Sequence, residues 1–272
     1  MKTCKALLLW AVLGLPIQLA AQTDSLPSGH ITTSAQLVGI GPTRLLDTYL
    51  TPEHFRGTGF TFLSTVERHR PARRWSTVMQ HEANFSKLHD RSDTSKELEG
   101  SYHFFWGKYR RWWLLDHRLL LQAGAMGTAT VGFIYNTSNG NNPAQARLSL
   151  QAVPSARAAW RFSLWKRPMT VGYELDLPLA GLMFSPRYSQ SYYEIFNRGN
   201  YDRNIVPTTF VSTPTFRQQL WLDVNVSSRL TLRAAYLGNY QQAAVNNLKQ
   251  HVYNHRFMIG VVRRFQLFSY RP

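Results

Sequence analysis

Cysteine is nearly absent: Cys4 is the only one in 272 residues. A chain with one cysteine cannot close an internal disulfide or assemble a thiolate metal site. Cys4 also precedes the first apolar run, so it is not placed as the acylated cysteine of a lipoprotein. Acidic side chains are scarce as well, 15 against 31 lysines and arginines, giving a formal net charge of +16. That balance favours nucleic acid or an anionic membrane surface as surroundings. Long hydrophobic runs are missing beyond the N-terminus. The best remaining stretch, WWLLDHRLLLQAGAMG from Trp112, is broken by Asp116, His117 and Arg118. A charge at the centre of a helical span costs about 2.5–3.5 kcal/mol, so helical membrane spans are excluded.

What is present begins with MKTCKALLLWAVLGLPIQLAAQ: Lys2 and Lys5, an apolar run over 6–17, then the small residues Ala20 and Ala21. This is the layout of a secretory signal peptide, with cleavage expected after Ala21 and one domain over 22–272. The run is shorter than the roughly 20 residues of a membrane helix. Export removes nucleic acid as a partner. Aromatic residues make up 13% of the chain, and rings at that density beside so many arginines need an apolar covering.

Read with a period of two, the sequence divides into ten segments near 31–39, 59–68, 75–88, 98–106, 118–135, 146–165, 169–179, 215–226, 230–240 and 252–268. Strands of roughly 9–11 residues suffice to cross a bilayer at a tilt. In the fourth segment Leu98, Tyr102, Phe104 and Trp106 oppose Glu99, Ser101 and His103; in the seventh Val171, Tyr173, Leu175 and Leu177 oppose Glu174 and Asp176. Pro154 has no N–H to give a ladder and predicts a bulge in the sixth. Connections after the second, fourth, sixth and eighth segments are short: HRPARR, KYRRWW, KRP and SSR. The others, among them GPTRLLDTYLTPEHFRG, NTSNGNNPAQ, QQAAVNNLKQ and the stretch 180–214, are polar and generally longer.

These features predict an all-β fold, an antiparallel up-and-down transmembrane β-barrel of about ten strands within a range of roughly 8–12. Its expected surroundings are the lipid of a Gram-negative outer membrane. A secreted sandwich or lipocalin-like barrel would show the same alternation. The polar face favours the membrane barrel. There Glu67, Glu82, Glu99, Glu174, Asp176 and Asp223 would converge inside with Arg118, Arg147, Arg161, Arg217, Arg233 and Arg256 as an ion-pair network.

Four segments, LLDTYLTPEHFRGTGF, GFIYNTSNGNNPAQARLSL, MFSPRYSQSYYEIFNRGNY and YLGNYQQAAVNNLKQHVYNHRFMIGVVR, together resemble a Bacteroidota family of small exported proteins catalogued only as a domain of unknown function. The resemblance spans nearly the whole chain after the signal peptide. It implies an envelope β-barrel and no activity. The closing Arg271 and Pro272 depart from the terminal aromatic common in outer-membrane barrels, although Phe265, Phe268 and Tyr270 are close.

Residues that could carry chemistry are sparse. His251 and His255 lie about 13 Å apart along a strand, too far for one metal ion, and share the outward parity of Phe257 and Ile259. No cofactor is called for. Asp47, His54, Ser185, Ser189, Ser191, Glu194 and His251 are the rim residues able to act as nucleophile or base, but none sits in a recognisable motif. The balance leans away from an enzyme. The stretch FSPRYSQSYYEIFNRGNY, 184–201, carries six aromatic rings without a steady period. Its Tyr188, Tyr192, Tyr193, Glu194 and Phe196, with Asp47, form the expected external binding surface, suited to a surface glycan or another envelope protein. Tyr192, Tyr193 and Phe196 packed into the mouth would make a plug instead. Basic clusters at the short turns (Arg68, Arg70, Arg73 and Arg74; Lys108, Arg110 and Arg111; Lys166 and Arg167) suit anionic headgroups. A narrow channel is the remaining reading, though a lumen of this size is nearly filled by side chains.

Overall fold

The outward positions of the strands, followed from neighbour to neighbour, form continuous apolar rows. One runs Ile259–Val38–Phe62–Ala83–Tyr102–Val131–Leu148, each a direct cross-strand partner of the next. Such pairs are the unit of sheet stabilisation. The computed structural model in which they are seen describes residues 29–267 apart from positions 72, 141, 228 and 229. The expected signal peptide over 1–21 and the closing residues Phe268, Tyr270, Arg271 and Pro272 lie outside the described residues.

The elements are β1 (His30–Asp47), β2 (Thr51–His69), β3 (Trp75–His89), β4 (Lys96–Leu114), β5 (Leu119–Asn136), β6 (Ala144–Leu164), β7 (Arg167–Asp176), β8 (Ala180–Phe184), α1 (Tyr192–Phe196), β9 (Ile205–Thr209), β10 (Phe216–Asn225), β11 (Leu230–Val245) and β12 (Leu248–Leu267). Ten of the strands close an antiparallel ring in the order β1-β2-β3-β4-β5-β6-β7-β10-β11-β12, with β12 returning to β1. The hairpin β8–β9 continues along the free upper half of β6. The ten-strand antiparallel barrel is therefore as alternation predicts.

The outer wall has an uncharged band of one bilayer's width. Between Arg56 and Arg68 the outward residues of β2 are Thr58, Phe60, Phe62, Ser64 and Val66; between Lys96 and Lys108 those of β4 are Leu98, Gly100, Tyr102, Phe104 and Trp106. Each run matches the roughly 9–11 residues a tilted strand needs to span hydrocarbon. At Gly100 a Cβ would meet the Phe133 ring at 2.6 Å, so this glycine lets an aromatic ring lie flat across the wall. The strands are longer than the band and project beyond it. One end of the barrel carries the connections β2–β3, β4–β5, β6–β7 and β10–β11, and is called the turn end; the other is the loop end.

Several boundaries differ from expectation. KYRRWW is not a turn but strand β4, which sends Lys108, Arg110 and Trp112 outward and Tyr109, Arg111 and Trp113 inward. Most of GPTRLLDTYLTPEHFRG and QQAAVNNLKQ is also strand, leaving only 48–50 and the pair Asn246–Asn247 as turns. Both asparagines have positive φ, 52° and 61°, as a two-residue hairpin turn of this hand requires. The stretch 180–214 is not one loop, because it contains β8, α1 and β9.

Pro154 forms no bulge: β5 and β6 keep one register through Ala125↔Pro154. Its carbonyl accepts from the Leu177 amide at 3.0 Å, so its missing N–H faces the same neighbour. The ladder fails on that side, and there β7 ends and β8 begins.

Arg256 shows how tightly the lumen is filled. It is fully buried and has no carboxylate partner among the described residues. Its Nε donates to Thr61, its Nη1 to the carbonyls of Gly41, Pro42 and His255, and its Nη2 to Thr43, Ser86 and Asn254. A Cβ at Gly59 would stand 2.3 Å from both that Nη2 and the Ser86 hydroxyl. Gly59→Ala is expected to cost about 1–3 kcal/mol through overpacking, read by guanidinium unfolding in micelles. Gly127→Ala, where nothing lies within 4 Å, is expected to be nearly silent.

Candidate functional sites at the two ends of the barrel

At the loop end, α1 is short but fixed at its start. Ser191 Oγ accepts from the Glu194 amide at 3.2 Å, and Glu194 Oε2 accepts from the Ser191 amide at 2.9 Å, the reciprocal cap that satisfies two otherwise free donors. Asn204 Nδ2 donates to the Ser185 carbonyl and to Gln190, and Asn246 Nδ2 to the carbonyls of Ser185 and Arg203. Arg187 pairs with Asp202. These bonds tie the segment between β8 and β9 to itself and to the β11–β12 turn.

The segment has two faces. Tyr192 turns down, donating its hydroxyl to Gln145 at 2.8 Å, accepting from the Ala146 amide at 2.6 Å, and meeting the Tyr49 ring edge-on at 5.7 Å. Tyr49 belongs to the β1–β2 turn and Gln145 to β6, on opposite sides of the ring, so Tyr192 bridges the mouth. Burial pushes its hydroxyl well above the usual phenol range and that of Tyr49 up to about 12; both stay neutral. Beneath them Leu45, Phe55, Leu88, Ile134 and Val252, each at most 1% exposed, fill the lumen with Leu50. Tyr188, Tyr193 and Tyr201 point the other way and are 59–69% exposed, and Phe196, 60% exposed, stacks on the Tyr192 ring at 5.9 Å.

The remaining rim residues have structural partners. Asp47 does not join the external surface but ends β1 pointing inward and buried, where it accepts from the Tyr49 amide and from Gln250 Nε2. His54 and His251 both pair with Leu46, on the outward face. Ser185 donates to the Pro186 carbonyl, Ser191 and Glu194 form the helix cap, and Ser189 sits in a left-handed turn with φ 65°.

The loop at 90–95 is organised by one carboxylate. Asp90 accepts from the hydroxyls of Ser92 and Thr94 and from the amides of Thr94 and Ser95. The Ser92 hydroxyl, then the Ser95 and Thr94 donors, hold its carboxyl below the ordinary range. A carboxylate depressed on folding stabilises above its unfolded value of about 3.9, and that contribution is lost as pH falls through the lower folded value. Exchange protection of the Thr94 and Ser95 amides, corrected for intrinsic rates, is expected to persist to about pH 4 and fall below it. In Asp90→Asn protection should be weaker at neutral pH and the profile flat.

The middle of the barrel holds an ion-pair lattice. Arg217 reaches Glu82 and Asp176, both at 2.7 Å, and Glu174 at 3.8 Å; Arg147 holds Glu99 at 2.9 Å; Arg233 grips Asp223 with two nitrogens. Arg157, absent from the expected set, joins Glu174 at 2.9 Å to Glu67 at 3.8 Å. Three expected members are not in ion pairs among the described residues: Arg256 is held by neutral acceptors, Arg118 stands in a turn, and Arg161 lies over the Trp113 ring at 4.3 Å.

Below the lattice the turn end opens into a chamber of about 1110 Å³. Arg111, Arg118, Arg161 and Arg264 line it together with His69, Trp113, Glu67 and the Arg233–Asp223 pair. A smaller cavity of about 70 Å³ lies among His103, Arg147, Asp176 and Gln241.

A closed ring of ten antiparallel strands, an uncharged outer band one bilayer wide and charges locked inside define a β-barrel of the outer-membrane type. The chain belongs to the family described as Protein of unknown function (DUF3316), whose model matches residues 6–272. No curated protein matches the sequence. Among solved structures it is similar to the translocator domain of the autotransporter NalP from Neisseria meningitidis, at 12% identity over 89% of this chain and 90% of that one, TM-score 0.40. The outer-membrane protease OmpT from Escherichia coli is similar at 8% identity over 90% and 99%, TM-score 0.43. The β domain of the Bordetella autotransporter BrkA is similar at 11% over 88% and 100%, TM-score 0.43.

Proposed function

We propose that the protein is exported through a cleaved N-terminal signal peptide, sits in the outer membrane with its loop end outward, and binds a surface glycan there. The observation that carries this reading is the two-faced segment between β8 and β9: Tyr192 and Ile195 are spent on closing the mouth, while Tyr188, Tyr193, Phe196 and Tyr201 remain exposed on a stapled backbone. Rigid tyrosines offer wide amphipathic faces with few rotors to freeze, and sugar rings stack on such faces.

The rival readings have less support. Conduction needs an open lumen, and here buried leucines lie under the cap. Rim catalysis needs a nucleophile within reach of a base, yet Asp47 points inward while His54 and His251 point outward. The test is retention of the purified barrel, folded in micelles, on an array of bacterial surface glycans. Glycan binding supports the proposal; an array with no retained spot, beside capture by an envelope protein, sinks it.

A further inference from the structure

The turn-end chamber sets an electrostatic problem that the protein's own residues solve only in part. Arg157 and Arg217 in the lattice above it, and Arg233 in its wall, each face a carboxylate. In the chamber Arg111, Arg118, Arg161 and Arg264 form no ion pair among the described residues; Glu67 offsets part of the Arg111 charge, while Arg111, Arg161 and Arg264 are close enough for each to feel the others'. Like charges gathered against a low-dielectric wall repel.

The arrangement is also built. Arg111 and Arg161 share the Trp113 ring, with guanidinium carbons 5.9 and 4.3 Å from its centroid, which fixes both forks. Arg111 Nε and His69 Nδ1 are buried and lack a hydrogen-bond partner among the described residues. Glu67 and the paired Asp223 also line the chamber, which still leaves an excess of guanidiniums over carboxylates; a cleft with such an excess concentrates anions, and guanidinium forks fit phosphate oxygens two at a time.

We propose that the turn-end chamber binds a compact, multiply charged phosphate-type oxyanion, held by Arg111, Arg161 and Arg264 over Trp113. The site is independent of whatever the loop end recognises. One dense anion neutralises several guanidiniums at once, which dispersed single carboxylates do less well. A large chamber also admits an oxyanion that ends a longer molecule, so a free phosphate chain and a phosphorylated lipid headgroup share the required chemistry.

The experiment is calorimetry of inorganic triphosphate against the full chain folded in micelles, at about 10 mM ionic strength, where the Debye length is roughly 30 Å. Wild type is expected to bind one triphosphate per chain. Arg161→Gln/Arg264→Gln should weaken it by about a hundredfold, roughly tenfold for each charge-assisted contact, while Arg91→Gln, in the loop at the other end, should change it less than about twofold. Triphosphate should raise the melting temperature of wild type and not of the double variant; heat-modifiable mobility confirms that both are folded. Replacing triphosphate by short-chain phosphatidic acid in the micelle identifies the source: tighter binding points to a lipid headgroup, weaker binding to a soluble oxyanion. No binding at low salt, or equal weakening in Arg91→Gln and the double variant, overturns the proposal.

Discussion

Replacing Arg217 by methionine is expected to cost about 3–5 kcal/mol, the range for removing one partner of a buried ion pair. The side chain is 3% exposed, lies over the Phe105 ring at 5.0 Å, and is the only basic group paired with Glu82 or Asp176 among the described residues. Methionine fills the volume but strands both carboxylates, whereas Glu174 keeps Arg157. Most single domains have only about 5–15 kcal/mol in total, so the variant should unfold at much lower denaturant, or fail to show heat-modifiable mobility. Arg217→Lys keeps the charge but cannot reach Glu82 and Asp176 with separate nitrogens of one fork, and should fall between. Adding Glu82→Gln to the methionine variant should recover part of the loss, since one stranded charge disappears while the hydrogen bond from Asn239 to that side chain can persist. Mild acid, by protonating a stranded carboxylate, should narrow the gap to wild type. A methionine variant as stable as wild type would show that the lattice only fills space.

The lattice was legible in outline because a strand's parity decides which face a residue takes. Glu82, Glu99, Glu174 and Arg217 can be placed inside from the sequence alone. Arg157 has the same parity as Arg147 and Arg161, which the sequence places inside, so its inward face was equally readable; its two carboxylates, Glu174 and Glu67, were not. Which arginine finds a carboxylate is a matter of height around a tilted ring, and neighbours such as Arg217 and Glu82 lie 135 positions apart. The strand ends were hidden for another reason. Alternation is clean only where one face meets lipid, and above the band QQAAVNNLKQ mixes polar and apolar side chains on both faces, with Ala243, Val245, Leu248 and Gln250 buried inward and Gln242, Ala244 and Lys249 outward. Its strands therefore look like loop, although the ladder continues to Val245 and Leu248. The two faces of 184–201 were equally unreadable, since Tyr192 and Tyr193 are chemically identical and only the capped turn of α1 sends one down and the other up.

That difference between adjacent tyrosines makes the loop end separable by mutation. Tyr188→Ser, Tyr193→Ser and Tyr201→Ser together remove three exposed rings without touching the Ser191–Glu194 cap or the bond from Tyr192 to Gln145. Aromatic hot spots in interfaces are worth about 2 kcal/mol or more each, so the triple variant is expected to lose at least about a hundredfold in glycan affinity. Its melting temperature should barely move, because solvent-exposed rings contribute little to the folded state. Tyr192→Phe is the converse: it keeps the ring against Tyr49 but removes the hydroxyl, leaving Gln145 and the Ala146 amide short of a partner at a cost of about 1–3 kcal/mol. Binding should then weaken only as far as the loop loosens. Equal losses of affinity in the two variants would mean that cap and recognition surface are one unit. A loss confined to the triple variant, measured by retention on the same glycan at matched folded fraction, would assign recognition to the outer face and leave the inner face its role of closing the barrel.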